Sequence, residues 1–345
     1  MAWFHAVFVG SVTLIKSGTN AVFLAREDPH RLPLLYVAVA LVVWVATTLL
    51  ARSLRKLPPA RVLNPTAIGF AVAFVVVTIA CALQVKGATF VLYVLGEVNA
   101  TVLSVLFWAR LSDAFGVRDQ KKVVGLISAG GMAGSIVGGL AIRALAGTTG
   151  TLLPLAVSAV GVALALPLLR RIRSGKKARP SSVRKTQATQ SAGGFLLGNR
   201  YAQLVASLVV LLSAAGAVTD FVFRVEVAGA RSEAELAGLF GILNATVGVT
   251  TSLFQLLLTQ RLLARIGVFV FGGIVPSLLM LFVVVYEWLP QASTAAFFVL
   301  LLLKGTEMAG AFSLNSTVVT LLYNPMPHEL RAPLRAVIDG AIKKG

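Results

Sequence analysis

Residues 92–139 read LYVLGEVNATVLSVLFWARLSDAFGVRDQKKVVGLISAGGMAGSIVGG, and they hold the features that decide the fold. An apolar helix with one carboxylate at its middle is followed by an aromatic stop, a basic loop and a helix striped with glycine. Glu97 lies nine residues after Ala88 and twelve before Ala109, so a helix that rises about 1.5 Å per residue places it near the centre of a membrane span. Burying a carboxylate at this depth is costly, and such residues mark functional sites by default.

The composition of the whole chain is that of a polytopic membrane protein. Hydrophobic residues make up 57% of the 345 positions and charged residues 13%, with a mean hydropathy of +0.87, far more apolar than a soluble domain. Met1 is followed at once by apolar sequence, so we expect the first helix to be retained rather than removed as a signal peptide. Cys81 is the single cysteine, which excludes an intrachain disulfide and a cysteine metal site.

Ten apolar segments are each about long enough to cross a hydrocarbon core of ~30 Å. They fall at 2–25, 32–51, 66–85, 88–109, 123–146, 149–169, 201–228, 235–258, 266–288 and 292–315. The fold class predicted from these segments is an all-α membrane helical bundle of about ten transmembrane helices.

Lysine and arginine are distributed unevenly between the two sides of this predicted bundle. Alternate connections carry 23 of them, whereas the opposite connections and the span ends beside them carry six. The positive-inside rule therefore places the basic side and the N-terminus in the cytoplasm. This placement accounts for the net charge of +18 without a nucleic-acid partner, and no soluble stretch is long enough to carry a basic module. We expect an integral protein of a bacterial inner membrane whose basic loops attract anionic lipid. The sequence leaves the oligomeric state open.

The longest connection, residues 170–199, divides the chain into two predicted halves. It is basic and rich in Ser, Gly and Pro, which is typical of a flexible linker. The predicted domains are therefore a six-helix half at 1–169, a cytoplasmic linker at 170–199 and a second half at 200–345 with four helices and a basic tail. Two packed helical halves joined by such a linker are the layout of major facilitator transporters. If the halves are equivalent, the second lacks two spans.

Ionisable residues recur inside every third predicted span, whereas the other six spans have none in their middles. They are Lys16 in the first span, Glu97 in the fourth, Asp220, Arg224 and Glu226 in the seventh, and Lys304 and Glu307 in the tenth. A charge at the bilayer centre costs ~2.5–3.5 kcal/mol on insertion scales, so such residues face a bundle interior or a water-filled cavity. In the major facilitator arrangement these four helices line the central cavity, which agrees with the charge pattern.

The alternative interpretation is that these charges only neutralise one another. Asp220 and Arg224 at i,i+4 spacing, and Lys304 and Glu307 at i,i+3 spacing, are able to pair within their own helices. Lys16 and Glu97 have no such local partner, which makes them the leading substrate or coupling candidates.

Gly130, Gly134 and Gly138 repeat at four-residue spacing in the fifth span. Such a stripe lets a helix backbone approach its neighbour closely, and this interpretation is favoured over a phosphate cradle because the Lys and Ser/Thr of a P-loop are absent. No nucleophile set, acid–base carboxylate pair or metal motif is evident, so the sequence predicts no enzyme, no catalytic residue, no bound metal and no cofactor.

A family resemblance begins at Glu97 and continues through VNATVLSVLFW, the basic loop and the glycine-rich helix. This stretch resembles the fourth and fifth helices of the plastid- and bacterial-type ATP/ADP translocases. That family is a nucleotide branch related to the major facilitator fold. The resemblance continues at DFVFR, residues 220–224, where the family carries an acidic residue and then a cation on its seventh helix. LYNPMP at 322–327, with Glu329, Arg331 and AVIDG at 336–340, is similar to the family's loop after the tenth helix.

Two departures from the family reduce the number of cations available to a triphosphate. The translocases place an Arg-Asp-Thr-Lys-Asp run on the first helix, whereas this chain has KSGTN at 16–20, which keeps only the first cation. STVVT at 316–320 is neutral where the family has a charged stretch with a lysine. Each phosphate calls for charge-assisted donors, so these changes bear on the substrate more than on the fold.

The resemblance implies a secondary transporter that moves an anionic metabolite, most directly a nucleotide in an ATP:ADP antiport, by alternating access. The implied substrate-binding or coupling residues are Lys16, Asn20, Glu97, Asp220, Arg224, Lys304 and Glu307. Within this hypothesis Lys16 and Arg224 contact the anion, while Glu97 and Asp220 gate it through competing ion pairs. The alternative is a non-transporting membrane scaffold or sensor built on a translocase-like fold.

Overall fold

The computed structural model describes residues 2–114, 117–170, 192–229, 231–290, 293–311, 316–322 and 325–326. This described part of the chain consists of helices and short connections and contains no strand. The helices are α1 (Ala2–Arg26), α2 (Leu32–Lys56), α3 (Pro59–Ala82), α4 (Ala88–Ala114), α5 (Val117–Thr149), α6 (Leu152–Arg170), α7 (Ala192–Gly198), α8 (Arg200–Ala228), α9 (Glu233–Leu257), α10 (Thr259–Trp288), α11 (Thr294–Gly310) and α12 (Ser316–Leu322).

Helices occupy all ten predicted span positions, and the all-α membrane fold class is confirmed. Eight of the described helices are long and apolar enough to cross a membrane. In the other two positions, α6 has a shorter apolar stretch at Leu152–Ala163 and α11 contains 17 residues. The short helices α7 and α12 were not predicted. Most of the predicted linker, residues 171–191, and most of the basic tail, residues 327–345, lie outside the described residues.

α3 begins at Pro59, seven residues before its predicted start. The prediction placed the start after Pro65, because proline removes a backbone donor and commonly ends or kinks a helix. In the structure Pro65 lies inside α3, where the hydroxyl of Thr66 donates a hydrogen bond of 2.8 Å to the carbonyl of Val62. This bond gives the backbone an extra partner next to the missing donor.

The chain divides into two compact units. The first contains residues 1–182 and 227–248, and the second contains residues 183–226 and 249–345. The first unit therefore includes the start of α9, although the sequence separates that segment from α1–α6.

An aromatic cluster sets the register of α1 against α4 in the first unit. The rings of His5 and Phe107 stack with centroids 4.4 Å apart and planes 4° apart, and Phe4 stacks on Phe107 at 5.9 Å. Lys16 lies eleven residues after His5 on α1, and Glu97 lies ten residues before Phe107 on α4. Both intervals correspond to about 15 Å of helix. The two antiparallel helices therefore bring Lys16 level with Glu97.

The glycine stripe of α5 packs directly on the backbone of α1. A Cβ atom at Gly134 would overlap the carbonyl of Ala6, and one at Gly138 would overlap the carbonyl of Gly10. The hydroxyl of Thr13 donates to the Ser135 hydroxyl at 3.2 Å in the same interface. The structure thus confirms that the stripe serves close helix packing.

α9 joins the first unit through a second backbone contact. A Cβ atom at Gly241 would overlap the carbonyl of Gly139 on α5. At the start of α9, Nε of Arg26 lies 3.0 Å from Oε2 of Glu233, and Nη1 of Arg26 donates to the carbonyl of Cys81 at 3.0 Å. Arg26 therefore links the ends of α1, α3 and α9.

In the second unit, α11 packs against α10, and α8 forms a hydrogen bond with the end of α12. A Cβ atom at Gly310 would lie 2.6 Å from the side chain of Val275, so the two helices approach closely there. α10 is interrupted at Gly267, whose φ of +74° is a left-handed value that favours glycine. The hydroxyl of Tyr201 on α8 donates to the carbonyl of Leu322 at 2.7 Å.

We predict that Gly134→Ala destabilises the protein by about 1–3 kcal/mol or more, because the added methyl meets backbone that has no alternative rotamer. Thermal unfolding in detergent measures this loss. Gly161→Ala on α6 is the matched control, since nothing lies within 4 Å of a Cβ there and an alanine in mid-helix is favoured over glycine by roughly 0.5–1 kcal/mol. Equal unfolding temperatures for the two variants would contradict the packing interpretation.

Candidate functional site

Lys16 and Glu97 are partners of each other in the first unit. Nζ of Lys16 lies 2.9 Å from Oε2 of Glu97, which joins α1 to α4. The side chain of Lys16 is 39% exposed and that of Glu97 is 22% exposed, so the lysine is the more accessible member. Spacing along one helix predicts only local pairs, so this pair across two helices was not predicted.

Gly96 lets the two helices approach closely beside the ion pair. A Cβ atom at Gly96 would lie 3.1 Å from Oγ1 of Thr19, and this hydroxyl donates to the carbonyl of Lys16 at 3.2 Å. The close approach is what allows the side chains of Lys16 and Glu97 to meet directly. Gly96 is therefore part of the site, although the sequence analysis did not select it.

Buried polar side chains on α1 surround the Lys16 position. Ser17, Thr19 and Asn20 are all buried, and Asn20 lies one turn beyond Lys16 on the same helix. From α9, Nδ2 of Asn244 donates to the Ser17 hydroxyl at 3.2 Å and to the carbonyl of Phe240 at 2.8 Å. Sequence reasoning missed Asn244, although an amide in the middle of an apolar span is the kind of signal that would have found it.

Four charged residues form a chain of ion pairs in the second unit. Nζ of Lys304 on α11 lies 2.8 Å from Oδ1 of Asp220 and 2.6 Å from Oε2 of Glu307. Nε of Arg224 lies 2.7 Å from Oδ2 of Asp220. The two cations are the most enclosed members, with side chains 8–9% exposed, and the order along the chain is Glu307, Lys304, Asp220, Arg224.

Both predicted local pairs are present, and the structure adds a pair that crosses helices. Asp220 pairs with Arg224 on α8 and Lys304 pairs with Glu307 on α11, while the Lys304–Asp220 contact ties the two helices together. Glu226, the remaining predicted span charge, is exposed. The alternative interpretation, that the charges neutralise one another, therefore describes their resting arrangement in each unit.

The two charge groups are each electrically balanced. The first has one cation and one anion, and the second has two of each. Pairing each charge with an opposite charge lowers the free-energy cost of burying it away from water. An added anion must displace a carboxylate from its cation, so binding an anion at either group exchanges one ion pair for another.

One groove in the first unit is lined entirely by apolar side chains. This groove of about 420 Å³ between α2 and α4 is lined by Leu34, Leu35, Ala38, Val42, Phe90, Val91, Val94, Leu95 and Val98. It suits an acyl chain or an apolar helix rather than a charged metabolite. Among the described residues, no group of three or more His, Cys, Asp or Glu side chains is placed to hold a metal ion.

Comparisons with known proteins agree with this architecture. A model of the Major Facilitator Superfamily matches residues 6–337. The crystal structure of a mutant of the nucleoside transporter NupG is similar, with a TM-score of 0.72 and 14% identity, covering 99% of this chain and 86% of that one. A second NupG crystal structure gives a TM-score of 0.66 and 14% identity, covering 99% and 87%. Identity at this level shows a shared fold, and no curated protein matches the sequence.

We predict that Lys304→Met destabilises the protein strongly, by about 3–5 kcal/mol, because it leaves Glu307 and one oxygen of Asp220 without their buried cation. Adding Glu307→Gln to this variant is expected to restore part of the loss. Unfolding of purified protein in detergent is the measurement. Lys16→Met is the comparison, and its smaller expected cost follows from the greater exposure of that pair. A loss for Lys16→Met as large as that for Lys304→Met would contradict the difference in burial.

Proposed function

The chain belongs to the Major Facilitator Superfamily, and we propose that it carries an anionic metabolite of the nucleotide class across its membrane. Membership of this superfamily makes it a membrane transporter rather than an enzyme. The observation that supports the proposal is the Lys16–Glu97 ion pair, which joins two helices near the middle of their spans. The resemblance of residues 97–108 to the ATP/ADP translocases supports the nucleotide class.

The proposed chemistry is competition between two anions for one lysine. A phosphate oxygen that binds Nζ of Lys16 releases the carboxylate of Glu97, and loss of the phosphate lets the pair form again. Both arrangements keep the lysine paired, so neither leaves an uncompensated cation in the membrane. In an exchange, a second anion takes the place of the first at Lys16, so the lysine always has an anionic partner, either the substrate or Glu97. This is why ATP:ADP antiport fits the pair.

Asp220, Arg224, Lys304 and Glu307 are proposed to act in the same way in the second unit. Asp220 is shared by two cations, so an anion that takes either cation leaves Asp220 with the other. The carboxylate is never left alone during such an exchange. We propose that this sharing makes Asp220 the gating residue of the group.

A neutral nucleoside is the second candidate substrate. The three span cations, Lys16, Arg224 and Lys304, all have carboxylate partners, and a neutral substrate binds without separating any of them. The two similar solved structures are of a nucleoside transporter. Hydrogen-bonding side chains such as Asn20 and Asn244 beside Lys16 suit the polar edges of a nucleobase.

We propose a bacterial inner-membrane location with the N-terminus in the cytoplasm. The test uses single cysteines in a Cys81→Ser background, at Lys86→Cys and Leu57→Cys, because both positions are exposed in connections at opposite helix ends. A membrane-impermeant maleimide added to intact cells is expected to label the residue-86 cysteine and to spare the residue-57 cysteine. The reverse labelling pattern would contradict the orientation.

We predict that proteoliposomes containing the purified protein take up labelled ATP, ADP or the corresponding nucleoside, and that internal unlabelled substrate accelerates uptake of a nucleotide. Lys16→Gln is expected to reduce nucleotide uptake at least tenfold, because one charge-assisted contact is worth ~1.5–3 kcal/mol. Uptake of a neutral nucleoside by the same variant is expected to fall much less. The pattern across the two substrates therefore decides between the candidates.

Two comparisons separate transport from folding in this assay. Lys86→Gln removes an exposed cation in the connection before α4 and is expected to leave uptake unchanged. Glu97→Gln is expected to lose exchange while its unfolding temperature stays near that of the parent. If the folded parent protein moves neither nucleotides nor nucleosides, the proposal fails. Glu97→Gln and Lys16→Gln variants that lose only stability would then favour a scaffold or sensor.

A further inference from the structure

Glu307 uses only one of its two carboxylate oxygens in the ion-pair chain. Oε2 accepts from Nζ of Lys304 at 2.6 Å, whereas no residue in the described part of the chain donates to Oε1. Asp220, by contrast, engages both of its oxygens, one with Lys304 and one with Arg224. A carboxylate accepts about four hydrogen bonds when fully used, so Glu307 retains unused capacity within a group that is already charge-balanced.

Gly216 on α8 keeps the space beside this oxygen open. A Cβ atom at Gly216 would lie 3.1 Å from Oε1 of Glu307 and 3.9 Å from its Cδ, and no other described atom beyond the adjacent turns of α8 would lie within 4 Å. Gly216 itself is half-buried, so this position is not sealed off by packing. Any larger residue at 216 would place its side chain against the unused oxygen.

The register of α8 places this space next to the ion pairs. Gly216, Asp220 and Arg224 are spaced four residues apart and therefore lie on one face of the helix. The same face meets Lys304 and Glu307 of α11. A group that enters beside Gly216 thus contacts Glu307 without having to separate the pairs that hold α8 to α11.

We propose that Oε1 of Glu307 and the space left by Gly216 form a subsite for a sugar hydroxyl of the substrate. An unused carboxylate oxygen accepts hydrogen bonds from neutral O–H donors, and such charge-assisted bonds are stronger than neutral ones. A phosphate, by contrast, is repelled by this carboxylate and competes with it for Lys304. The inference rests on the proposed function, in which the substrate is a nucleotide or nucleoside, and the hydroxyls are then those of the ribose. Carboxylate recognition of a ribose 2′-hydroxyl is known chemistry in dinucleotide sites.

Gly216→Ala tests the subsite with little change to the fold. The added methyl would lie in tight contact with Oε1, where it shields the oxygen from a ligand, while alanine is a good helix former. In proteoliposomes the parent protein is expected to prefer the ribose form of its substrate over the 2′-deoxy form by about tenfold or more, the value of one charge-assisted hydrogen bond. Gly216→Ala is expected to abolish this preference by slowing the ribose form only.

Gly273→Ala is the matched control, because it is a membrane-helix glycine of the same unit with nothing within 4 Å of a Cβ. It is expected to keep the preference. Glu307→Gln provides a second test, since it keeps the shape of the side chain and removes its charge, and it is expected to weaken the preference. The unfolding temperature of each variant is measured to establish that the variant is folded.

The outcomes separate the subsite from the proposed function. Transport of both sugar forms by the parent protein at equal rates overturns the subsite and leaves the proposed function standing. A preference that survives Gly216→Ala as it survives Gly273→Ala also overturns the subsite. A folded parent protein that neither transports nor binds a nucleotide or nucleoside overturns both proposals together.

Discussion

A charged side chain inside a membrane must find an opposite charge, and the helix arrangement within each unit of this protein meets that requirement. Lys16 finds Glu97 across the α1–α4 interface, and Lys304 finds Asp220 across the α8–α11 interface. Removing one partner from a buried pair leaves a charge whose desolvation is uncompensated. The pairs therefore constrain which helices are neighbours and at what depth they meet.

Close backbone packing makes these pairings possible. Apolar side chains give helices no reason to associate in lipid, so association depends on van der Waals contact and on small residues that allow it. Gly134 and Gly138 bring α5 onto the backbone of α1, and Gly241 brings α9 onto α5. Gly96 does the same beside the ion pair itself, where it allows α1 and α4 to approach closely enough for Lys16 to reach Glu97 directly.

The balance of charge in each group bears on the substrate. A site that presents unpaired cations attracts a polyanion strongly, whereas Lys16, Arg224 and Lys304 each have a carboxylate partner. An anion must therefore compete for its cation, which favours exchange of one anion for another or transport of a neutral molecule. Within the described residues, Glu307 differs from Asp220 in that only one of its oxygens takes part in an ion pair. This difference is the basis for proposing Glu307 as the member of the group that recognises an uncharged donor.

The sequence by itself located the ten apolar segments, all of which are helical and eight of which are long and apolar enough to cross a membrane in the described part of the chain. Twenty or so apolar residues in a row have no stable place other than a membrane or a core. The sequence also identified Lys16, Glu97, Asp220, Arg224, Lys304 and Glu307, since a charge in such a run stands out without any structure. Local pairs such as Asp220–Arg224 follow from helical spacing alone. The start of α3 at Pro59 does not follow from the sequence. Proline is disfavoured inside a helix, whereas the structure accommodates Pro65 inside α3.

Only the tertiary structure decided which distant charges meet. Lys16 and Glu97 are 81 positions apart, and their contact depends on the register that the stacking of His5 on Phe107 gives to α1 and α4. The same holds for Asn244, whose amide reaches Ser17 from a helix far along the chain. Apolar periodicity states which residues avoid water, but it does not state which helix covers them, because many neighbours satisfy that demand equally well. The pairing of specific polar atoms is set by distances of about 3 Å, which only the packed helices define.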